Sequence, residues 1–189
     1  TNYVSVGKDV TERLREEQAL RESATVDQLT GLFNRNHGKA LLSEAYSFTL
    51  SREESMSIIL CDIDHFKQIN DSFGHPVGDQ ILAQVSGLLR KSVRGNDRLI
   101  RWGGEEFLIL LENCTDMVAA ELAERLRLRI ASEQFQNVGK VTVSLGVASL
   151  FQKESLEQLI SRCDEALYKS KRNGRNQLTL ATMNEFPKN

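Results

Sequence analysis

The most informative stretch of the chain is RWGGEEF, at residues 101–107. An apolar pair precedes it and the apolar run FLILL begins at its last residue. Two apolar runs around a Gly-Gly pair predict a β-hairpin, because glycine allows the positive φ that a tight turn needs and leaves the backbone open to a ligand. Glu105 and Glu106 follow the turn, and since successive strand residues point to opposite faces, only one of them easily faces a given ligand. Taken alone, Gly-Gly-Glu-Glu is more typical of a solvated turn.

The composition is that of one globular domain with an appendage: 189 residues, of which 40% are hydrophobic and 26% are charged. The formal net charge of −2 gives no basic field for duplex nucleic acid or anionic lipid. The sequence contains neither an apolar run of membrane-spanning length nor a signal peptide. We therefore expect a cytoplasmic location, with membrane anchoring of a longer parent protein left open, since the chain begins at Thr1 rather than at Met.

The cysteines do not form a metal-binding or disulfide pattern. Three are present, far apart and without a Cys-x-x-Cys pair, and the three histidines do not stand at ligand spacings from them. We expect buried or reduced thiols and no zinc site.

The first 24 residues differ from the rest of the chain. Residues 9–24 are rich in charged residues and helix formers, with apolar positions too sparse for the face of a globular core. Two interpretations stay open, a solvated linker helix and a parallel coiled-coil signalling helix. Residues 4–13 resemble the last strand and exit of a PAS sensor domain. We therefore divide the chain into a PAS-like tail and linker helix (1–24), a main domain (25–182) and a C-terminal tail (183–189).

The main domain reads as an α+β fold. The predicted order is helix, strand, short helix, helix, hairpin, long helix, strand, helix and edge strand, with Asn34 as the first helix cap and Val118 among the inward residues of the long helix. From the first strand onward this is the split β-α-β-β-α-β arrangement of ferredoxin-like folds, a central antiparallel sheet flanked by helices. There the first strand lies beside the hairpin, which brings Asp62 at its end next to Glu105.

Two carboxylates that converge without a nearby Cys or His cluster suit Mg²⁺, with Mn²⁺ as an alternative ion. Cations that could hold phosphates stand around the same predicted edge. Lys67 lies in the first turn of the short helix, where backbone N–H groups favour anions, Arg101 precedes the hairpin turn, and Lys171 and Arg175 flank the end of the last helix. Each cation taken singly is more typical of a solvated surface charge; together they predict a nucleoside triphosphate site.

These motifs resemble those of the GGDEF domain, the catalytic module of bacterial diguanylate cyclases, which has a nucleotidyl-cyclase palm fold. The resemblance covers roughly residues 25–180. The matching stretches, in chain order, are DQLTGLFNR (27–35), DIDHFKQIND (62–71), GH (74–75) with GD (78–79), GGEEF (103–107), VTVSLG (141–146), DEALY (164–168) and GRN (174–176). The third signature position is Glu where the family name has Asp, and active members use either.

The resemblance implies condensation of two GTP molecules into cyclic di-GMP and two pyrophosphates by a homodimer in which each protomer holds one GTP. It implies that Asp62, the Ile63 carbonyl and Glu105 bind Mg²⁺, that Glu105 also helps deprotonate the 3′-hydroxyl, and that Glu106 holds a second metal. It also implies substrate contacts by Phe66, Lys67, Asn70, His75, Asp79, Arg101, Lys171 and Arg175. Lys67 would in addition stabilise charge in the reaction. Asp79 favours GTP alone over mixed dinucleotides.

A second, weaker motif is the Arg-x-x-Asp of Arg94 and Asp97, which by itself is equally an ordinary surface ion pair. Its position coincides with the inhibitory product site of the family, to which Arg125 can supply a second arginine. Arginine forks suit phosphate oxygens and the guanine edge, so we expect feedback inhibition by cyclic di-GMP. An upstream sensor domain is the expected regulator. A non-catalytic cyclic di-GMP receptor and a scaffold acting through the linker helix are the alternative functions.

Overall fold

The computed structural model describes residues 25–182, and its centre is a five-stranded sheet with helices on both faces. The helices are α1 (Arg35–Arg52), α2 (Phe66–Phe73), α3 (His75–Arg90), α4 (Asp116–Ser132) and α5 (Leu156–Arg172). The strands are β1 (Met56–Ile63), β2 (Arg98–Arg101), β3 (Glu106–Glu112), β4 (Val143–Ser149) and β5 (Leu178–Leu180). The α+β prediction is therefore confirmed for this part of the chain.

Strand β1 lies at the centre of the sheet, whose strand order is β2-β3-β1-β4-β5. It pairs antiparallel with β3 on one side and with β4 on the other, while β5 joins the edge in parallel with β4. All eight residues of β1 are buried, because helices cover both faces of the sheet and leave no solvent-facing side. The predicted neighbourhood of the first strand and the hairpin is confirmed.

Alternate residues of the strands feed two apolar layers. One layer packs Ile59, Phe107 and Val143 against α3 and α4. The other packs Ile58 and Leu108 against α1 and α5. This alternation fixes which face of the sheet each polar residue at the strand ends can reach.

Local predictions are confirmed at one helix end and wrong at two other positions. Asn34 caps α1, its side chain accepting a hydrogen bond from the His37 N–H at 3.0 Å. Val118 is 43% exposed rather than inward, since it lies in the first turn of α4, where the neighbouring Ala119 is the residue that is buried. Neither hairpin glycine has a positive φ, because the turn spans more than two residues and the N–H groups of Trp102 and Gly103 both donate to the Glu106 carbonyl.

The predictions for residues 1–24 and 183–189, including the PAS-like tail and the linker helix, lie outside the described residues. Within residues 25–182, no helix has both the length and the apolar composition needed to cross a bilayer.

Candidate active site

Acidic residues from β1 and the hairpin meet at one end of the sheet. Asp62 is the register partner of Glu106 across the β1–β3 pair. The next pair continues into the turn, where the Ile63 N–H donates to the Glu105 carbonyl at 3.3 Å. The antiparallel register thus brings the Asp62 carboxyl group to the two glutamates, which follow it by more than 40 residues in the chain.

Asp62 is buried, and this location makes its negative charge costly. Burial raises the pKa of the Asp62 carboxyl to about 6, the Lys171 ammonium beside it acts in the opposite direction, and the charges of Glu105 and Glu106 raise it again. Lys171 Nζ lies 2.7 Å from Asp62 Oδ2. The end of α5 therefore meets the end of β1, and Lys171 supplies a positive charge that partly offsets the burial of Asp62.

The two glutamates of the signature have different surroundings. Glu106 is the first residue of β3 and shares a register pair with Asp62, and its carboxylate lies over Gly103, where a Cβ would meet Glu106 Oε2 at 2.5 Å. Glu105 lines a cavity on the side of the sheet covered by α2 and α3. The two side chains therefore lie in different surroundings, Glu105 at the cavity and Glu106 beside Asp62.

That cavity, of about 490 Å³, has the size of a small-molecule site. Six of the predicted substrate residues line it together with Glu105: Phe66, Lys67, Asn70, His75, Asp79 and Arg101. Asp71, Leu82 and Gly104 complete the lining and were not predicted. The two remaining predicted substrate residues, Lys171 and Arg175, do not line it; they lie at the end of α5 and in the loop that follows.

Close contact between α2 and α3 shapes the cavity wall. Gly78 on α3 faces the Asn70 side chain so closely that a Cβ would collide with Asn70 Oδ1, and the Phe66 ring would lie 3.2 Å from that Cβ. Because Gly78 has no side chain, the Asn70 amide can lie between the two helices. The glycine is therefore needed for the position of Asn70.

Arg101 anchors the hairpin turn. Its guanidinium donates to the Gly104 carbonyl at 2.9 and 3.2 Å and to both carboxylate oxygens of Asp27 at 3.0 and 3.1 Å. Asp27 in turn accepts hydrogen bonds from the N–H and hydroxyl of Thr30. Although Arg101 lines the cavity, every one of these donors is directed to the protein.

The donor set at the end of β1 fits a hard divalent cation. Asp62, Glu105 and Glu106 offer carboxylate oxygens there. Burial, together with the charges of Glu105 and Glu106, raises the pKa of Asp62, and a bound cation would favour the ionised carboxylates. Within residues 25–182, no three acidic, histidine or cysteine side chains are gathered closely enough to hold a metal by themselves. That arrangement suits Mg²⁺, which takes one or two protein carboxylates and completes its shell with water and phosphate oxygens.

Comparison with known proteins identifies the family. The family model described as "Diguanylate cyclase, GGDEF domain" matches residues 24–177. The chain belongs to the GGDEF family. The GGDEF match covers most of the chain and includes every residue predicted for the site.

Relatives of this GGDEF domain occur in several bacteria. Diguanylate cyclase DgcM of Escherichia coli K12 is 38% identical over 173 residues, which are 92% of this chain and 42% of DgcM. Diguanylate cyclase A of Treponema denticola is 40% identical over 176 residues, which are 89% of this chain and 47% of that protein. The chain thus spans less than half the length of these curated relatives.

Solved GGDEF structures share the fold. The coiled coil and GGDEF domain of DgcB from Caulobacter crescentus, in complex with c-di-GMP, has a TM-score of 0.86 and 32% identity, and the match covers 94% of this chain and 97% of that one. The active GGEEF domain of a diguanylate cyclase from Vibrio cholerae has a TM-score of 0.77 and 36% identity, with 79% and 97% covered.

The predicted product-site residues of the GGDEF domain lie away from the acidic cluster. Arg94 and Asp97 both border two cavities, one of about 560 Å³ and one of about 110 Å³, and Arg125 on α4 borders the smaller. The Asp97 carboxylate accepts a hydrogen bond from the Arg94 backbone N–H at 2.8 Å rather than from its guanidinium. Arg125 donates to the Ser92 carbonyl at 3.3 Å. The structure therefore brings these three residues to one place.

Two contacts of the site had no counterpart in the sequence prediction. Asp64 is buried and accepts hydrogen bonds from Thr142 Oγ1, from Ser144 Oγ and from the backbone N–H of Asn176. Arg127 on α4 donates to the carbonyl and side-chain oxygens of Asn176. Asp64 stands in the quoted DID motif, but no local pattern names its partners, because they follow it by about 80 residues or more.

Proposed function

We propose that this GGDEF domain condenses two molecules of GTP into cyclic di-GMP and releases two pyrophosphates. The observation that carries the proposal is the meeting of Asp62, Glu105 and Glu106 at one end of the sheet, beside a cavity lined by the residues expected to bind the nucleotide. Family membership and the curated names of the relatives support it.

The metal in this proposal is Mg²⁺, with Mn²⁺ as the alternative. Asp62, Glu105 and the Ile63 carbonyl hold one ion, and Glu106 contributes to a second. A divalent ion bound there would neutralise the charge that develops on the phosphate oxygens. The hard oxygen donors and the raised pKa of Asp62 support this choice.

In each half of the reaction, the 3′-oxygen of one GTP attacks the α-phosphorus of the other. A new P–O bond forms, the bond between the α-phosphorus and its bridging oxygen breaks, and pyrophosphate leaves with that oxygen. Glu105 accepts the proton of the 3′-hydroxyl as the bond forms. Lys67, Lys171 and Arg175 hold the phosphates and neutralise developing charge, as phosphoryl-type chemistry requires.

The guanine base is held on the opposite side of the same cavity. Asn70 and Asp79 hydrogen-bond to its edge, with His75 nearby and Phe66 against the base. An amide and a carboxylate together offer both the donor and the acceptors that the guanine edge needs. The joint lining of the cavity by these four residues supports the assignment.

The reaction needs two protomers, because each domain holds one GTP and the product is symmetric. We propose a homodimer in which two sites face each other, with residues 1–24 as the dimerising linker from an upstream sensor domain in the parent protein, in the cytoplasm. Sedimentation of protein with and without residues 1–24 tests the linker; equal association of both forms contradicts it.

Product feedback completes the proposal. Cyclic di-GMP binds at Arg94, Asp97 and Arg125 and lowers turnover. Support comes from the joint position of the three residues at adjoining cavities and from the solved DgcB domain in complex with c-di-GMP.

The experiment is a turnover assay with GTP and Mg²⁺, run across protein concentration and read by chromatography of the products. We expect cyclic di-GMP and pyrophosphate in a 1:2 ratio and no turnover by Glu105→Ala, with unchanged thermal unfolding. The exposed Arg172, which stacks over Tyr168, gives a control variant, Arg172→Ala, that should retain turnover. Binding of cyclic di-GMP without turnover by the unaltered protein would refute the enzyme and favour a receptor.

A further inference from the structure

The loop from α5 to β5 has an unusual backbone at the place where the proposed phosphate ligand Arg175 stands. Gly174, Arg175 and Asn176 follow one another with φ of 114°, 62° and 45°. Residues other than glycine rarely adopt this left-handed region of backbone angles. They stay in it only where the surrounding structure holds them.

Two side chains hold this loop at Asn176. Asp64 Oδ2 accepts from the Asn176 N–H at 3.0 Å. On the other side of the residue, the Arg127 guanidinium donates to the Asn176 carbonyl at 3.2 Å and to its side-chain oxygen at 2.9 Å. The backbone N–H, the backbone carbonyl and the side-chain oxygen of Asn176 are therefore all hydrogen-bonded.

Both holding groups are themselves fixed. Asp64 is only 5% exposed and is anchored by Thr142 Oγ1 and Ser144 Oγ, each at 2.7 Å. The Arg127 guanidinium also forms two parallel bonds with Glu124, at 2.6 and 2.8 Å. A fork–fork pair of this kind fixes the plane of the guanidinium.

Arg175 lies directly before the held residue and is exposed. Its backbone N–H donates to the Ser170 carbonyl at 3.0 Å, while its guanidinium has no hydrogen-bond or ion-pair partner among residues 25–182. The backbone of Arg175 is thus fixed at both sides, and its charged group is left for a ligand.

We propose that Asp64 and Arg127 are positioning residues that hold residues 174–176 so that Arg175 binds the polyphosphate of the nucleotide. This inference rests on the proposed function, which assigns Arg175 to the phosphates. A loop already held in its binding conformation loses less freedom when the ligand arrives, so the affinity for the phosphates rises. Asp64 is suited because its two oxygens accept three hydrogen bonds, which an amide at this position cannot do.

The test compares ligands with and without the polyphosphate. Calorimetry in Mg²⁺ measures binding of a non-hydrolysable GTP analogue and of GMP to the unaltered protein, to Arg127→Ala and to the control Arg129→Ala. Arg129 stands on the same helix but bonds to Ser92 Oγ, away from the loop. We expect Arg127→Ala to lower the affinity for the GTP analogue roughly tenfold. The affinity for GMP and the midpoint of thermal unfolding should stay unchanged. Equal losses for both ligands, or no loss, overturn the proposal.

A double-variant cycle with Arg175→Ala tests whether Arg127 acts through Arg175. If it does, the double variant binds the GTP analogue no more weakly than Arg175→Ala alone, because the two changes remove one interaction. Losses that multiply in the double variant overturn the proposal. Asp64→Asn should also lower the affinity for the GTP analogue and leave the affinity for GMP unchanged. If this variant of a buried residue does not fold, the result with Arg127→Ala decides the test.

The experiments distinguish a failure of the proposed enzyme activity from a failure of the inference about the loop. An unaltered protein that binds the GTP analogue and produces no cyclic di-GMP refutes the enzyme, while the comparison of the variants still decides the role of the loop. An unaltered protein that discriminates the GTP analogue from GMP by less than the experimental error overturns the inference about Arg175, whatever the turnover.

Discussion

Lys171 Nζ lies 2.7 Å from Asp62 Oδ2, so the last helix is joined by an ion pair to the end of the central strand. The two residues are separated by more than 100 positions in the sequence and meet where a metal and a triphosphate are proposed to bind. The pair offsets only part of the cost of burying Asp62, since the pKa of Asp62 is still raised to about 6. The acidic end of the sheet is therefore a region where the protein gives up stability for function.

Asp62→Asn should make the metal-free protein more stable at pH 7 and abolish turnover. The pKa of Asp62 is raised from 3.8 to about 6 in the folded protein. The favourable contribution of the protonated carboxyl to the free energy of unfolding is therefore complete below pH 3.8 and is lost as the pH rises through about 6. A neutral amide avoids that loss, which amounts to at most about 3 kcal/mol at pH 7. Urea unfolding in a chelator checks this from pH 4 to 8.

The difference between Asp62→Asn and the unaltered protein should shrink as the pH falls and vanish near pH 4. A variant that is less stable at pH 7, or a difference that does not change with pH, would contradict the expected burial of an ionised Asp62.

Gly78→Ala should impair GTP binding while the fold is kept. An added Cβ collides with Asn70 Oδ1 and displaces the amide from the cavity wall, so we expect the KM for GTP to rise about tenfold. Gly87→Ala is the matched control, because a Cβ there on the same helix α3 meets nothing within 4 Å. The control should keep its KM and gain roughly 0.5–1 kcal/mol of stability; an equal KM change in both variants would argue against the role of Asn70.

Arg101→Lys should reduce kcat/KM for GTP by a factor of about 10 to 100. Lysine keeps the charge but cannot donate to the Gly104 carbonyl and to Asp27 at once, so the turn that carries Glu105 loses its anchor. A cycle with Asp27→Asn should show coupling of about 1 kcal/mol in unfolding free energy. Full activity of Arg101→Lys would mean that the turn holds its shape without these bonds.

Arg94→Ala should relieve inhibition by added cyclic di-GMP. Loss of a charged hydrogen bond to phosphate costs about 1.5–3 kcal/mol, so the half-inhibiting concentration should rise roughly 10- to 100-fold. Arg172→Ala, which lies outside both cavities of this region, serves as the control. Unchanged inhibition of Arg94→Ala in initial-rate assays would remove this residue from the feedback site.

Arg162→Met should destabilise the domain by about 3–5 kcal/mol, because it leaves the carboxylate of Glu154 buried without its cation. Two guanidinium nitrogens of Arg162 each donate a hydrogen bond of 2.8 Å to the Glu154 carboxylate, and both side chains are almost completely buried. The double variant with Glu154→Leu should recover part of the loss in urea unfolding. A double variant less stable than the single one would show that Glu154 serves other partners more than Arg162.

The sequence was a good guide wherever a pattern is local. Short continuous apolar runs predicted the strands, period-3.6 apolar repeats predicted the helices, and the Gly-Gly pair between apolar runs predicted the hairpin. It was a poor guide at Val118 and at the hairpin glycines. The exposure of Val118 depends on how the first turn of α4 packs, and the backbone angles of the glycines depend on how many residues the turn contains.

From the sequence alone we could predict the order of the elements, the family and the meeting of Asp62 with Glu105. The reason is that the predicted order is that of the split β-α-β-β-α-β fold, in which the first strand lies beside the hairpin. The partners of the charged side chains, in contrast, depend on how the elements pack. Lys171 bonds to Asp62, Arg101 to Asp27 and Gly104, and Arg127 to Asn176. Long charged side chains reach partners on distant elements, and no local periodicity records which partner the packing brings within hydrogen-bonding distance.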